Sequence, residues 1–165
     1  MTLVIGVGNP DRGDDGVGPV VAARVAALGL PGVRVLPLVD PGRLIDAWDG
    51  ESDVVVVDAV RVEPGDGPRV VTLRVDQGPL PGWATCGGTH AFSVASAVEL
   101  SRALRRLPQN LVVVGVAGCD FGTGHGLSAD VRGRVDSAVE SVRAAVHGFG
   151  ADGRDAHGAA GDEVR

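Results

Sequence analysis

Lysine is absent from this 165-residue chain, so all fifteen of its basic residues are arginines. That excludes a phosphate-cradling P-loop lysine, a Schiff-base lysine and a lysine nucleophile. Aromatic residues make up only 3% and tyrosine is missing, so the core has to be built from Val, Leu and Ala. The two cysteines, Cys86 and Cys119, lack CxxC spacing and make no disulfide scaffold. No apolar run reaches the roughly 20 residues of a membrane span. The first strand starts at the N-terminus, so no signal peptide is expected and the reading is cytoplasmic. The formal charge is −6, with no basic stripe, which argues against nucleic acid as a partner. The one dense basic spot, Arg102, Arg105 and Arg106, reads as the solvated face of a helix. What is present, 44% hydrophobic and 22% charged residues, is the composition of a globular protein with one sizeable core.

Val- and Leu-rich runs alternate with helical periodicity along the chain. Residues 2–8 read as a buried strand, and 16–28, with Val17, Val20, Val21, Val25 and Leu28 at helical spacing, as an amphipathic helix. Residues 33–39 form the next strand and 44–48 a short helix. The run 53–59 (DVVVVDA) has the two-sided apolarity of a central parallel strand. Residues 69–75 alternate as a half-exposed edge strand would. Residues 77–88 are a Gly/Pro-rich loop, and Thr89 is placed to cap a helix from His90 to about Arg106. Residues 111–116 are another buried strand, and 117–127 a glycine-rich loop. Ser128 is placed to cap a last helix whose apolar face is Val131, Val135, Val139, Val142 and Val146. From 148 the chain turns polar and Gly-rich, so residues 1–147 read as a single α/β domain and 148–165 as a disordered tail. The alternation predicts a three-layer α/β/α sandwich around a largely parallel, five-stranded twisted sheet. Its ligand crevice is expected beyond the carboxyl ends of the strands, where the turn 9–15, Asp40, Asp58 and the loop 117–127 all fall.

The strongest local signal is GVGNPDRGDDGVG, residues 6–18. Gly6 and Gly8 let the chain turn off the strand, Asn9 can brace that turn, and Asp14 and Asp15 start a helix, where its dipole favours negative charge. Acidic capping is the plainest account. A dinucleotide site fits poorly, because a pyrophosphate at that helix end would meet two carboxylates. Asp58 ends an otherwise apolar strand, where a carboxylate is costly unless a cation or hydrogen bonds compensate it. Turn capping is the alternative. His90 follows Gly87-Gly88-Thr89 at an expected helix start, where the dipole disfavours imidazolium and keeps the ring able to coordinate a metal. Asp15, Asp58 and His90 on one sheet edge make a mixed N/O set suited to zinc or nickel. His125 reads as an exposed loop residue, and His147 and His157 carry no assignment. Cys86 and His90 share no feature that pairs them as nucleophile and base.

These motifs resemble those of the hydrogenase maturation endopeptidases. The resemblance rests on Gly6-x-Gly8-Asn9-x-x-x-x-Asp14-Asp15-Gly16-x-Gly18, on Asp58 closing the third strand, on His90 in GGTHAF, and more weakly on GCDFGTGHGLS at 118–128. It extends over roughly residues 3–146. It implies a protease that removes a C-terminal extension from the large-subunit precursor of a nickel–iron hydrogenase after nickel insertion. By position, Asp15, Asp58 and His90 match that family's metal-contacting residues, with Asp15 where many members carry Glu. Asp40-Pro41-Gly42-Arg43 stands at the family's Asp-Gly-Gly-Thr-like segment, with Arg43 at the threonine position.

Two mechanisms fit. In one, Asp15, Asp58 and His90 bind a divalent metal, nickel or a zinc-like ion, that activates water, with Asp40 nearby as proton acceptor. In the other, the same residues recognise nickel already seated in the precursor, so that the substrate supplies the metal. The resemblance favours the second. The rival readings are a non-catalytic nickel-sensing binding module for the precursor, and a peptidyl-tRNA hydrolase-like enzyme suggested by VGNP. Against the latter stand the acidic DDG and the missing basic groove. A monomer that engages neither nucleic acid nor membrane is expected.

Overall fold

The computed structural model describes residues 1–61, 69–75, 78 and 93–155, the last five of these as backbone only. Its elements are β1 (Thr2–Val7), α1 (Val17–Ala27), β2 (Val33–Leu38), α2 (Leu44–Ala47) and β3 (Asp53–Arg61). They continue with β4 (Val70–Arg74), α3 (Val94–Ala103), β5 (Asn110–Gly118), α4 (Ala129–Arg132) and α5 (Val135–Asp155). The strand order is β2-β1-β3-β5-β4. The first four strands in that order run parallel, and β4 closes the edge antiparallel to β5. This is the largely parallel five-stranded sheet the alternation predicts, with the half-exposed 69–75 run at the edge.

Successive side chains of a strand point to opposite faces, and the two faces carry separate cores. On one, Val4, Val55, Val57, Val112 and Val114 pack under Val17, Val21 and Val25 of α1 and Val135, Val139 and Val142 of α5. On the other, Leu3, Ile5, Val54, Val56 and Leu111 pack under Leu44 and Trp48 beside α2 and Val94 and Val98 of α3. A chain with so few aromatics thus fills both layers with short branched side chains. Trp48, fully buried, is the largest piece, and its indole N–H donates to Ser101 Oγ at 3.2 Å. The α1 stripe is narrower than its spacing implies: Val20 and Leu28 are exposed.

Several boundaries differ from expectation. Helix α3 begins at Val94, not His90, because Ser93 in extended backbone accepts from the Ser96 N–H and fixes the start there. Thr89 is therefore not its cap, and both Thr89 and His90 lie outside the described residues, as does Cys86. Ser128 caps α4, a single turn, and not one long helix. Gly133, a weak helix former, precedes Arg134, whose guanidinium donates to the Ala117 carbonyl, and the helix restarts at Val135. Helix α5 then continues past 148 to Asp155, because a helix already formed propagates cheaply and Phe149 is buried against the core. Residues 156–165 lie outside the described part.

Of the arginine cluster, Arg105 is exposed as expected, whereas Arg102 and Arg106 also bind other elements. Arg102 donates to the carbonyls of Val75 and Gly78, and Arg106 bridges Asp46 and Asp49, tying α3 to the end of β4 and to α2. Arg105, at φ +57°, takes the left-handed position past the helix end that glycine usually fills, with Arg106 N–H bonded back to the Ser101 carbonyl.

Candidate active site at the switch between β1 and β3

The chain leaves β1 for β2 on one side of it, while β3 pairs on the other. In an open α/β sheet such a reversal opens a crevice at the carboxyl ends. The β1–β3 ladder ends with Gly6 opposite Val57, so Asp58 is the first β3 residue beyond it. It does not end its strand, however: β3 runs on against β5 to Arg61, with Asp58 opposite Gly115. Asp58 is therefore held by a rigid central strand at the mouth of the crevice.

The turn leaving β1 supplies the facing wall. Gly8 has φ +135°, a conformation open only to glycine, and its N–H reaches the Leu38 carbonyl at the end of β2. Gly6 serves a different purpose from the turn expected of it. A Cβ there, or at Gly18, would collide with backbone, so the pair lets α1 lie directly on β1. Asn9 Oδ1 accepts from Asp11 N–H at 2.9 Å, bracing the turn as its position suggests. Asp15 Oδ2 in turn accepts from Asn9 N–H at 2.8 Å.

The two neighbouring aspartates have different tasks. They sit in a single 3-10 turn, Gly13–Gly16, ahead of α1. Asp14 is fully buried, and its carboxylate accepts the backbone N–H groups of Cys119 (3.0 Å), Asp120 (2.9 Å) and Ser128 (2.7 Å). Burial would raise its pKa, but the N–H bonds from Asp120, Ser128 and Cys119, with the Ser128 hydroxyl, outweigh that and hold it below the usual value. Asp15 is only half buried, and its charge acts on Asp58. The resemblance singles out Asp15 as a metal contact and leaves Asp14 with only a place at the helix start. Nothing local shows what Asp14 does, because the donors to Asp14 come from more than a hundred residues away.

Asp58 has the opposite electrostatics. Loss of solvent, and then the charge of Asp15, push its pKa up to about 7, and the single N–H bond from Ala59 does not offset them. A carboxyl poised there can exchange a proton near neutrality, or give its proton up to a cation. The donor chemistry suits a divalent metal, since two carboxylates that repel each other would both ionise around one. Asp40 is brought to the same edge, but it is exposed and caps the turn Pro41–Arg43 by accepting from Gly42 N–H at 2.8 Å. No hydrogen bond joins it to Asp15 or Asp58 among the described residues, and Asp15 is the charge that perturbs Asp58. Among the described residues no three His, Cys, Asp or Glu side chains gather as a metal cluster, and the expected third member, His90, lies outside them. The exposed side chain of His125 matches its reading as a loop residue.

The family model for hydrogenase maturation proteases, HycI, matches residues 39–145. The chain belongs to the hydrogenase maturation protease family. It is an endopeptidase of that family, a peptide hydrolase, which leaves the non-cutting sensor and the tRNA hydrolase without support. The matched stretch holds Asp40, Asp58 and position 90, whereas the 6–18 motif with Asp15 precedes it. No curated protein gives a significant sequence match. Among solved structures, an Escherichia coli endopeptidase aligns with TM-score 0.71 at 23% identity, over 91% of this chain and 94% of its own. The hydrogenase maturating endopeptidase HybD from E. coli aligns with TM-score 0.68 at 22% identity, over 91% and 94%. The [NiFe] hydrogenase maturation protease HycI from Thermococcus kodakarensis KOD1 aligns with TM-score 0.67 at 22% identity, over 89% and 92%. At that identity the likeness establishes the α/β fold of the endopeptidase. No helix among the described residues is long and apolar enough to cross a membrane.

Proposed function

We propose that this endopeptidase removes a C-terminal extension from the large-subunit precursor of a nickel–iron hydrogenase, and cuts only once nickel is seated in that precursor. Asp15, Asp58 and His90 are the side chains we assign to contact the precursor's nickel, which arrives as part of the substrate. The observation that carries this reading is the Asp15–Asp58 pair. Two carboxylates at the switch point, one pushed up to about 7 by lost solvent and by its neighbour's charge, form a site whose repulsion a cation would relieve. A precursor lacking nickel offers no such relief and is held poorly, so the scissile bond is presented only when the metal is in place. Asp40, exposed at the end of β2, is our candidate to accept a proton from the attacking water, which requires the bound precursor to displace its cap to Gly42. We read the enzyme as a cytoplasmic monomer.

The test is intact-mass spectrometry of a nickel-loaded large-subunit precursor incubated with the enzyme. A nickel-free precursor and the variants Asp15→Ala, Asp58→Ala and His90→Ala run alongside. The expected result is loss of one discrete C-terminal peptide, only with nickel and only with the intact triad. Equal cutting of the nickel-free precursor would overturn the metal-gated reading, and cutting at full rate by His90→Ala would remove that residue from the site.

A further inference from the structure

We propose that Asp14 is a positioning residue of the active site, a latch that locks the loop 119–128 to the turn 9–16 and thereby aims Asp15 at Asp58. The proposal rests on the reading of Asp15 given above and adds a residue to it. Its basis is geometric. The Asp14 carboxylate spends both oxygens on backbone donors at the two ends of the loop, Cys119 and Asp120 at the start and Ser128 at the finish. Its own N–H donates to the Asp120 carbonyl at 2.6 Å. Two further bonds close the same seam: Gly13 N–H to the His125 carbonyl and Gly124 N–H to the Asp11 carbonyl, both at 2.9 Å.

The seam is also sterically set. A Cβ at Gly118, the last residue of β5, would lie 2.8 Å from Asp14 Cβ, so β5 can approach only because that position is glycine. Arg61, at the end of β3, stacks its guanidinium 4.5 Å from the Phe121 ring and holds the loop from the other side. With its carboxylate fixed, Asp14 has no rotational freedom left. The next residue on a tight 3-10 turn inherits that constraint, and Asp15 Oδ2 is delivered to Asn9 N–H with its charge close enough to act on Asp58. A side chain placed by packing and hydrogen bonds, and not by its own rotamer preference, is what a preorganised site requires.

The experiment compares the wild type with Asp14→Asn, Gly118→Ala and their double variant. Asn keeps the shape but replaces one acceptor oxygen by a donor, while the added methyl displaces β5 with the carboxylate intact. Val142→Ala, in the α5 core away from the seam, is a control for loss of stability alone. Amide exchange is read at Cys119, Asp120 and Ser128 for the latch, and at Asn9 for the aim of Asp15. Turnover on the nickel-loaded precursor is read in parallel.

For both single variants we expect exchange at all four amides to rise about tenfold or more above wild type. Their kcat should fall about a hundredfold, the cost of a misplacement near 1 Å, with KM within about threefold. The double variant should be no worse than the worse single one, because both break one device. Val142→Ala should lower the melting temperature without moving either Asn9 exchange or kcat. A folded Asp14→Asn variant with wild-type Asn9 protection and kcat would overturn the proposal. So would a Val142→Ala variant losing kcat to the same degree. If the wild type does not cut the precursor at all, the proposed function fails, and Asn9 exchange in the two single variants still decides the latch.

Discussion

Asp14 and Asp58 are carboxylates withdrawn from solvent at the same end of the same sheet, yet the structure drives them in opposite directions. Asp14 is the more deeply buried and is held charged, because three backbone N–H groups converge on it. Asp58 keeps some exposed surface, yet loss of solvent around its carboxyl and then the charge of Asp15 push it up to about 7, with one N–H to offset them. Both carboxyls lose solvent, which raises the pKa of each, and the supply of donors separates them. A satisfied carboxylate braces the fold, and an unsatisfied one is left with chemistry to do.

The strongest way to break that contrast is to delete the satisfied group. Asp14→Ala takes the acceptor from three partly buried N–H donors, and stability at pH 7 should fall by on the order of 3 kcal/mol. Urea denaturation measures it, and a loss below about 1 kcal/mol would mean the donors find water instead.

Asp58 should give the opposite sign. Its folded pKa lies above the unfolded value near 3.8, so between about 4 and 7 the folded state binds more protons than the unfolded chain. Stability from this group therefore falls as pH rises through that window. Asp14, with its folded pKa lowered, contributes stability that is present above 3.8 and lost as pH drops below it. Asp58→Asn should accordingly stabilise the protein at pH 8 by about 1–3 kcal/mol, discounted for partial exposure, with no gain at pH 4, while cutting is lost. Equal unfolding free energies for variant and wild type at pH 8 would remove the charge penalty assigned to Asp58.

The smallest change makes Asp14 slightly more like Asp58. Ser128→Ala removes the hydroxyl that both bonds Asp14 and caps α4, leaving the backbone donors in place. It should cost about 1 kcal/mol, chiefly the cap. The Asp14 carboxyl carbon, followed by NMR, should titrate at a higher pH than in the wild type. An unmoved titration would confine the hydroxyl to capping.

Legibility in the sequence followed the range of the interactions. The parallel strands, the α1 helix and the edge strand were readable because apolar periodicity and Gly/Pro punctuation are local signals. The start of α3 was misread at Thr89 because two hydroxyl residues, Thr89 and Ser93, offer a cap, and only the packing of Val94 and Val98 selects the second. The contacts of Arg102 and Arg106 were not legible because their acceptors, Val75, Gly78, Asp46 and Asp49, are remote in the chain.

By itself the sequence determined the composition of the core, the order of strands and helices, and the set of acidic residues gathered at one sheet edge, since those depend on periodicity and chain order. It singled out Asp15 through its position in the motif, but it could not show what Asp14 does. That role emerges only when the chain after β5 brings the N–H groups of Cys119, Asp120 and Ser128 to the Asp14 carboxylate. The tertiary structure alone decided that Asp14 is held charged and Asp58 is not, because donor supply is a property of the folded neighbourhood and desolvation has no meaning before the chain folds.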